Sequence, residues 1–198
     1  MELVLCNNQS RGAGGAAAAR TLAGLASWIQ GNTNKAANGA NGQFNPGGGA
    51  VDTPGTLRTD GTKRAFTEAQ LKDVVSQTWV NGGDPSMIML GAFNKQKLSG
   101  FTGGSTKMTS AEDKRLVAAI DIYESDFGSM TVVPNRLSRS RDCFVLSPDK
   151  WAVAFLRDFQ LMDLAVTGDA QKKAMLAEYT LVSKNQLASG AVFDLTTA

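Results

Sequence analysis

The chain has 198 residues, a formal net charge of +2, 42% apolar and 19% charged residues, and no histidine. That length supports a sizeable core in one domain or in two small lobes sharing strands, and the charge is too small to indicate nucleic-acid or membrane binding by itself. Without histidine, Ser-His-Asp and Cys-His triads, the HExxH motif and the usual zinc sites are excluded, leaving carboxylate, Lys or Tyr chemistry.

Glu2 to Asn8 reads as the last turns of a helix, and its acidic start does not suit a signal peptide. No stretch approaches the roughly 20 apolar residues that span a bilayer, so a soluble, non-secreted protein is expected. Cys6 and Cys143 have no CxxC spacing. They read as buried small apolar side chains and not as a disulfide. Gly12 to Gly15 reads as a hinge: the Lys and Ser or Thr that a phosphate-binding loop needs after its second glycine are missing. Ala16 to Ile29 carries Leu22, Leu25, Trp28 and Ile29 at helical spacing and ends at Gly31. Gly31 to Gly61 is rich in Gly, Asn, Thr and Pro, and predicts an exposed excursion ordered mainly by neighbouring chains.

The clearest helix starts at Thr67, where Thr67-Glu68-Ala69-Gln70 fits a capping box. Leu71, Val74, Val75 and Trp79 are expected on its buried face, and Gly82-Gly83 at its end. Ser86 to Leu90 is continuously apolar, which predicts a strand buried on both sides. Ala92 to Leu98 reads as a second helix. Gly100 to Ser110 reads as a loop, and its Gly103-Gly104-Ser105-Thr106-Lys107 resembles a phosphate cradle in composition only. Leu116 to Tyr123 alternates as a strand does. Asp126-Phe127-Gly128 spells the kinase magnesium triplet, but with no H-R-D loop it reads as a hairpin turn. Met130 to Val133 returns, and Pro134 ends the ladder. Phe144 to Leu146, Trp151 to Leu156 and Gln171 to Lys184 read as strands, with a turn at Ser147 to Lys150.

Nothing in the sequence brings Asp163, Asp169 and Glu178 together for acid–base work. Arg136, Arg139 and Arg141 alternate beside Asp142, either as an exposed basic loop or as an intersubunit or DNA-facing contact, since guanidinium forks bind carboxylates and phosphates bidentately. No catalytic, cofactor-binding or metal-ligating residue is identified, and neither catalysis nor a cofactor is expected. The helix–strand–helix cluster enclosed by long strands predicts a mixed α+β subunit of two lobes.

Several phrases, in this order, resemble the major capsid proteins of tailed bacteriophages with the Hong Kong phage-type fold. They are R-T-L-A-G-L-A-S-W-I from Arg20, R-A-F-T-E-A-Q-L from Arg64, Y-E-S-D-F-G from Tyr123, V-V-P-N-R from Val132, L-A-V-T-G-D-A from Leu164 and E-Y-T-L from Glu178. The resemblance implies α+β architecture with mixed and antiparallel sheets and flanking helices. Its axial lobe is expected over 61–150, and its peripheral lobe over 1–60 and 151–198, with Glu2 to Asn8 ending a spine helix. It implies a self-assembling icosahedral shell subunit of the virion, built in the host cytoplasm and enclosing double-stranded DNA. Its partners would be copies of itself, with scaffolding, portal or decoration proteins and no membrane. The family's N-terminal arm and extended loop are missing from the chain, so a fragment is expected, mainly monomeric or in loose rings, with Gly31 to Gly61 poorly ordered in isolation. The alternatives are an encapsulin-type nanocompartment shell and a carboxylate-based hydrolase.

Overall fold

The computed structural model describes residues 2–12, 14, 19–45, 54–101, 122–165 and 168–197. Their elements are α1 (Glu2–Leu5), α2 (Leu25–Trp28), β1 (Thr33–Asn34), α3 (Glu68–Val80), β2 (Met87–Leu90), α4 (Ala92–Ser99), β3 (Ile122–Ser125), β4 (Gly128–Pro134), β5 (Cys143–Leu146), β6 (Trp151–Asp163), β7 (Lys173–Ser183) and β8 (Gly190–Val192). Two sheets result. One has six strands in the order β1-β8-β5-β2-β4-β3, and the other is the β6-β7 pair alone. The chain is therefore α+β with mixed and antiparallel sheets.

The central strands of the large sheet, β2, β5 and β8, are buried on both faces, and the two-residue period of a strand explains how. Ile88, Leu90, Cys143, Val145 and Val192 point to one apolar cluster, which includes Leu71, Val74 and Val75 of α3 and Leu98 of α4. Their sequence neighbours Met89, Phe144, Leu146, Ala191 and Phe193 point to a second cluster with Cys6, Leu25, Ala26 and Ile29. The predicted doubly buried strand at 86–90 is thus the sheet's centre: β2 pairs antiparallel with β5 and parallel with β4.

Helix α3 follows local rules closely. The expected capping box is present: the side-chain Oε1 of Gln70 accepts from the Thr67 backbone N–H at 3.2 Å, and the Thr67 side chain faces the Gln70 backbone N–H. Its buried residues are Leu71, Val74, Val75 and Thr78, spaced i, i+3, i+4, i+7. Trp79 lies one position past that stripe and is 55% exposed, which corrects its expected burial; its ring instead meets Phe127 at 5.2 Å. At the C-terminus Gly82 adopts φ +78. The Gly82 N–H donates to Trp79 O and the Gly83 N–H to Thr78 O, the two bonds of a Schellman motif. On the sheet side, a Cβ at Gly190 would lie 2.5 Å from Val74 Cγ1 and 2.9 Å from Thr78 Oγ1, so the missing side chain lets α3 lie against β8.

Three expectations change. The helix expected over Ala16 to Ile29 shrinks to Leu25–Trp28 among the described residues, because Thr21 and Gly12 exchange backbone hydrogen bonds of 3.0 and 3.2 Å. Gln9 O then accepts from Gly24 N and from Ser27 Oγ, fixing where the helix can begin. The described parts of Gly31 to Gly61 are tied to their own chain through the bridges Ala40–Thr59 and Gln43–Thr56, and Arg58 among them is fully buried. That excursion is not simply exposed. Finally, β1 and β8, to which the sequence reading assigns no strand, extend the large sheet by parallel pairing Thr33–Ala191 and Asn34–Val192. The loop at 102–110, the start of the strand expected at 116–123, and parts of the hinge at 12–15 lie outside the described residues.

Candidate functional site: an arginine–aspartate clasp and an apolar hairpin

Three segments distant in sequence carry charge into one place: 58–64, the 139–142 turn before β5, and the C-terminal tail after β8. Asp194 adopts φ +63, a left-handed conformation that Asp tolerates better than most residues. This turns its carboxylate inward. Oδ1 accepts from the Gly61 N–H at 2.8 Å and Oδ2 from the Ala36 N–H at 3.1 Å. Glycine is needed nearby, since a Cβ on Gly39 would stand 2.7 Å from Asp194 Oδ2.

Arg58 Nη2 lies 2.6 Å from Asp194 Oδ2, and both side chains are 0% exposed. The Arg58 guanidinium also covers the Phe193 ring, 4.1 Å from its centroid, a cation–π contact in a desolvated setting. Its Nη1 pairs with Asp60 Oδ1. Asp60 Oδ2 accepts from Arg139 Nη2 and, at 3.2 Å, from Arg141 Nη1. Arg141 Nη2 donates to Gly61 O at 2.7 Å and to Asp194 Oδ1 at 3.1 Å. Arg64 contributes from the rim: its Nε and Nη2 donate to Phe193 O at 3.3 and 3.2 Å.

The carboxylates respond differently. Burial pushes the Asp194 carboxyl up, but the Arg58 hydrogen bond, the Gly61 and Ala36 N–H donors and the Arg58 charge outweigh it, and the group settles below its ordinary value. Asp142 is also fully buried, and burial dominates there: its carboxyl is pushed up to about 6, against the pull of Arg139, Arg58 and Arg141 and with the push of Asp60. Its ion pair with Arg139 Nη1 is 3.3 Å long. Among the described residues, no hydrogen bond of normal geometry reaches either Asp142 oxygen.

Of the three arginines singled out in sequence, Arg139 and Arg141 enter this clasp and Arg136 stands exposed before it. Sequence reading missed Arg58, Asp60 and Asp194. Asp142 beside the arginines was the visible signal, but its distant partners had none.

The clasp holds three segments together. Each arginine of its centre already faces a carboxylate. Among the described residues no group of three His, Cys, Asp or Glu could hold a metal, and no helix is long and apolar enough to cross a membrane. Asp163 pairs with Lys173 at 3.2 Å and Glu178 with Arg157 at 3.3 Å, so these acids serve as strand-to-strand partners. Both cysteines are free and buried, and burial, with Glu2 adding to it, raises the Cys6 thiol to about 11. Such thiols are poor nucleophiles.

The second unusual surface is β6-β7. Where the central strands of the large sheet bury both faces, every β6 residue after Trp151 is exposed. These include Val153, Phe155, Leu156, Phe159, Leu161 and Met162, between 37% and 78% exposed. The hairpin's root is anchored, because Trp151 and Leu181 pack on the second core cluster, and Trp151 Nε1 donates to Ser189 Oγ at 2.9 Å.

No curated protein is similar to this chain. Among solved structures, a virus-like particle from Pyrococcus furiosus is similar at 13% identity with a TM-score of 0.39, over 66% of this chain and 54% of that one. The chain thus spans about half the length of that relative. The model of the SU10 major capsid protein matches residues 1–196, nearly the whole chain, and the chain belongs to the SU10 major capsid protein family.

Proposed function

We propose that the chain is a structural subunit of a tailed-bacteriophage capsid, self-assembling into the icosahedral shell that encloses the viral DNA. The observation that carries this reading is the family match over residues 1–196. The structure supports it in two ways: charge is spent on holding distant segments together, and apolar surface is left outward on a long hairpin. Obligate assemblies behave so, because repeated interfaces supply stability that one subunit lacks.

On this reading the fold is of the Hong Kong phage type, and α1 is the end of a spine helix. The axial lobe covers 61–150 and the peripheral lobe the two flanks, with β1 and β8 reaching into the axial sheet. Arg136 is exposed for contact with a neighbouring subunit or with packaged DNA, while Arg139 and Arg141 set the loop that presents it. The chain performs no turnover, and the shell is built in the host cytoplasm before it is the virion's.

Electron microscopy of the 198-residue protein, together with mass photometry, tests the reading. Closed shells or regular capsomer rings are expected. A protein that remains monomeric under every assembly condition, or a catalytic activity abolished by a single substitution, would overturn it.

A further inference from the structure

We propose that Asn135 is the positioning residue of Arg136, and that through its side-chain amide the α1 segment sets the turn on which Arg136 stands. This inference rests on the reading of Arg136 as a contact residue and adds to it what holds that residue in place.

Asn135 follows Pro134 at the end of β4. Its N–H donates to Leu90 O at 2.9 Å, which fixes its backbone to the central strand of the sheet. Its side chain then works in two directions. Oδ1 accepts from the Leu137 N–H at 2.8 Å and from the Ser138 N–H at 3.3 Å, folding the chain over Arg136. Nδ2 donates to Glu2 Oε1 at 2.7 Å and lies 3.2 Å from Met89 Sδ and 3.9 Å from Cys6 Sγ. One end of the amide meets only donors and the other only acceptors, so its partners fix its orientation. The bond to the Glu2 carboxylate is the shortest of the set and is charge-assisted.

The far end of the same turn returns to the same segment. Arg139 and Arg141 pair with Asp60, and Asp60 pairs with Arg58. The Arg58 backbone in turn exchanges hydrogen bonds of 2.8 and 3.2 Å with the Asn8 side chain. Residues 2–8 thus reach the support of Arg136 from both sides, directly through Glu2 and, through Asn8, by way of the clasp. Their seat is tight, since the Asn7 carbonyl leaves no room for a Cβ on Gly24. Arg136 itself is exposed, so the backbone of the turn sets its direction. A shift of α1 is passed to that backbone by the Asn135 amide.

The test measures amide exchange of Leu137 and Ser138 in the dilute 198-residue chain, with the amides of β2 and β5 reporting on the fold. Glu2→Ala, 133 positions away in sequence, should speed exchange at Leu137 and Ser138 roughly threefold to tenfold. Leu3→Ala, at a position 59% exposed on the same helix, should not. Asn135→Asp separates positioning from simple capping. It keeps an oxygen for both N–H donors but sets a carboxylate against Glu2, so exchange should rise as in Glu2→Ala. The double variant Glu2→Gln/Asn135→Asp reverses the bond, with a Gln NH2 donating to the Asp carboxylate. It should bring exchange back to within about twofold of the parent. Unchanged exchange in Glu2→Ala or in Asn135→Asp would overturn the inference, because the turn would then be held by its own cap. So would a double variant no slower than Asn135→Asp, or a Leu3→Ala chain as fast as Glu2→Ala. If Asn135→Asp loses protection in β2 and β5, Glu2→Ala decides alone: faster exchange supports the inference and unchanged exchange overturns it. Failure here leaves the shell reading standing, and a chain that never assembles leaves this coupling as measured.

Discussion

Arg58 and Asp194, far apart in the sequence, meet at 2.6 Å with neither side chain exposed to solvent. The pair fastens the segment before α3 to the tail after β8, and the Phe193 ring under the guanidinium keeps water out. An ion pair so placed is not free stability, since desolvating both charges offsets most of their attraction. Removing one partner is another matter, because it strands the other.

Arg58→Ala should therefore destabilise the subunit by about 3–5 kcal/mol. Asp194→Asn keeps one acceptor oxygen but turns an NH2 toward the donors that met the other and removes the counter-charge of Arg58, so it should cost a comparable amount. Urea denaturation of both single variants and the double gives the coupling. Additive losses would show that the two side chains do not depend on each other.

Asp142 predicts a pH dependence of defined sign. Its carboxyl titrates near 6 in the fold and near about 3.9 when unfolded, so the folded state holds its proton more tightly. The stability this gives is fully present below the unfolded value and is lost as pH rises through about 6. A gap of about two pH units corresponds to at most about 3 kcal/mol. Asp194 acts oppositely: its contribution is present at higher pH and lost as pH falls through its lowered value. Melting of the parent chain and of Asp142→Asn between about pH 4 and pH 7 separates the two. The variant should be the more stable at neutral pH, and the difference should vanish near pH 4.

Two glycines should fail for different reasons. Gly82→Ala meets nothing within 4 Å but must hold φ +78, so its cost is conformational, about 1 kcal/mol. Gly82→Asn should recover part of that. Gly190→Ala collides with Val74 and with the Asn32 carbonyl at 2.7 Å; separating α3 from β8 should cost about 1–3 kcal/mol or more. Equal losses in chemical denaturation would contradict the distinction.

The three arginines of the 136–141 turn should separate by assay. Arg136→Ala should leave stability within about 0.5 kcal/mol, whereas Arg139→Ala and Arg141→Ala loosen the clasp and should lower it by about 1–3 kcal/mol. If Arg136 meets DNA phosphate, its loss should lower the salt slope of DNA binding by about one. An unchanged slope and unchanged assembly would remove Arg136 from the contact.

Sequence alone determined those features whose causes are local. The Gln70 cap, the Gly82 termination, the turn at Asp126 to Gly128 and the buried strand at Met87–Leu90 each depend on residues within a few positions of one another. It also determined the hairpin strands Trp151–Asp163 and Lys173–Ser183, though their lengths only in part, because β-branched and aromatic residues favour extension wherever they lie. Tertiary structure alone decided the short helix at Leu25, since Gln9 and Gly12 compete for the backbone groups that a longer helix would use. It alone placed β1 against β8, and brought Asp60 and Asp194 to the arginines of the 139–141 turn. A charge cluster of that kind is made by three segments closing at long range, and its partners leave no periodicity or spacing to read. Burial sets the rest: Asp142 and Asp194 are the same residue type, and only the number of donors that reach each one separates a raised carboxyl from a lowered one.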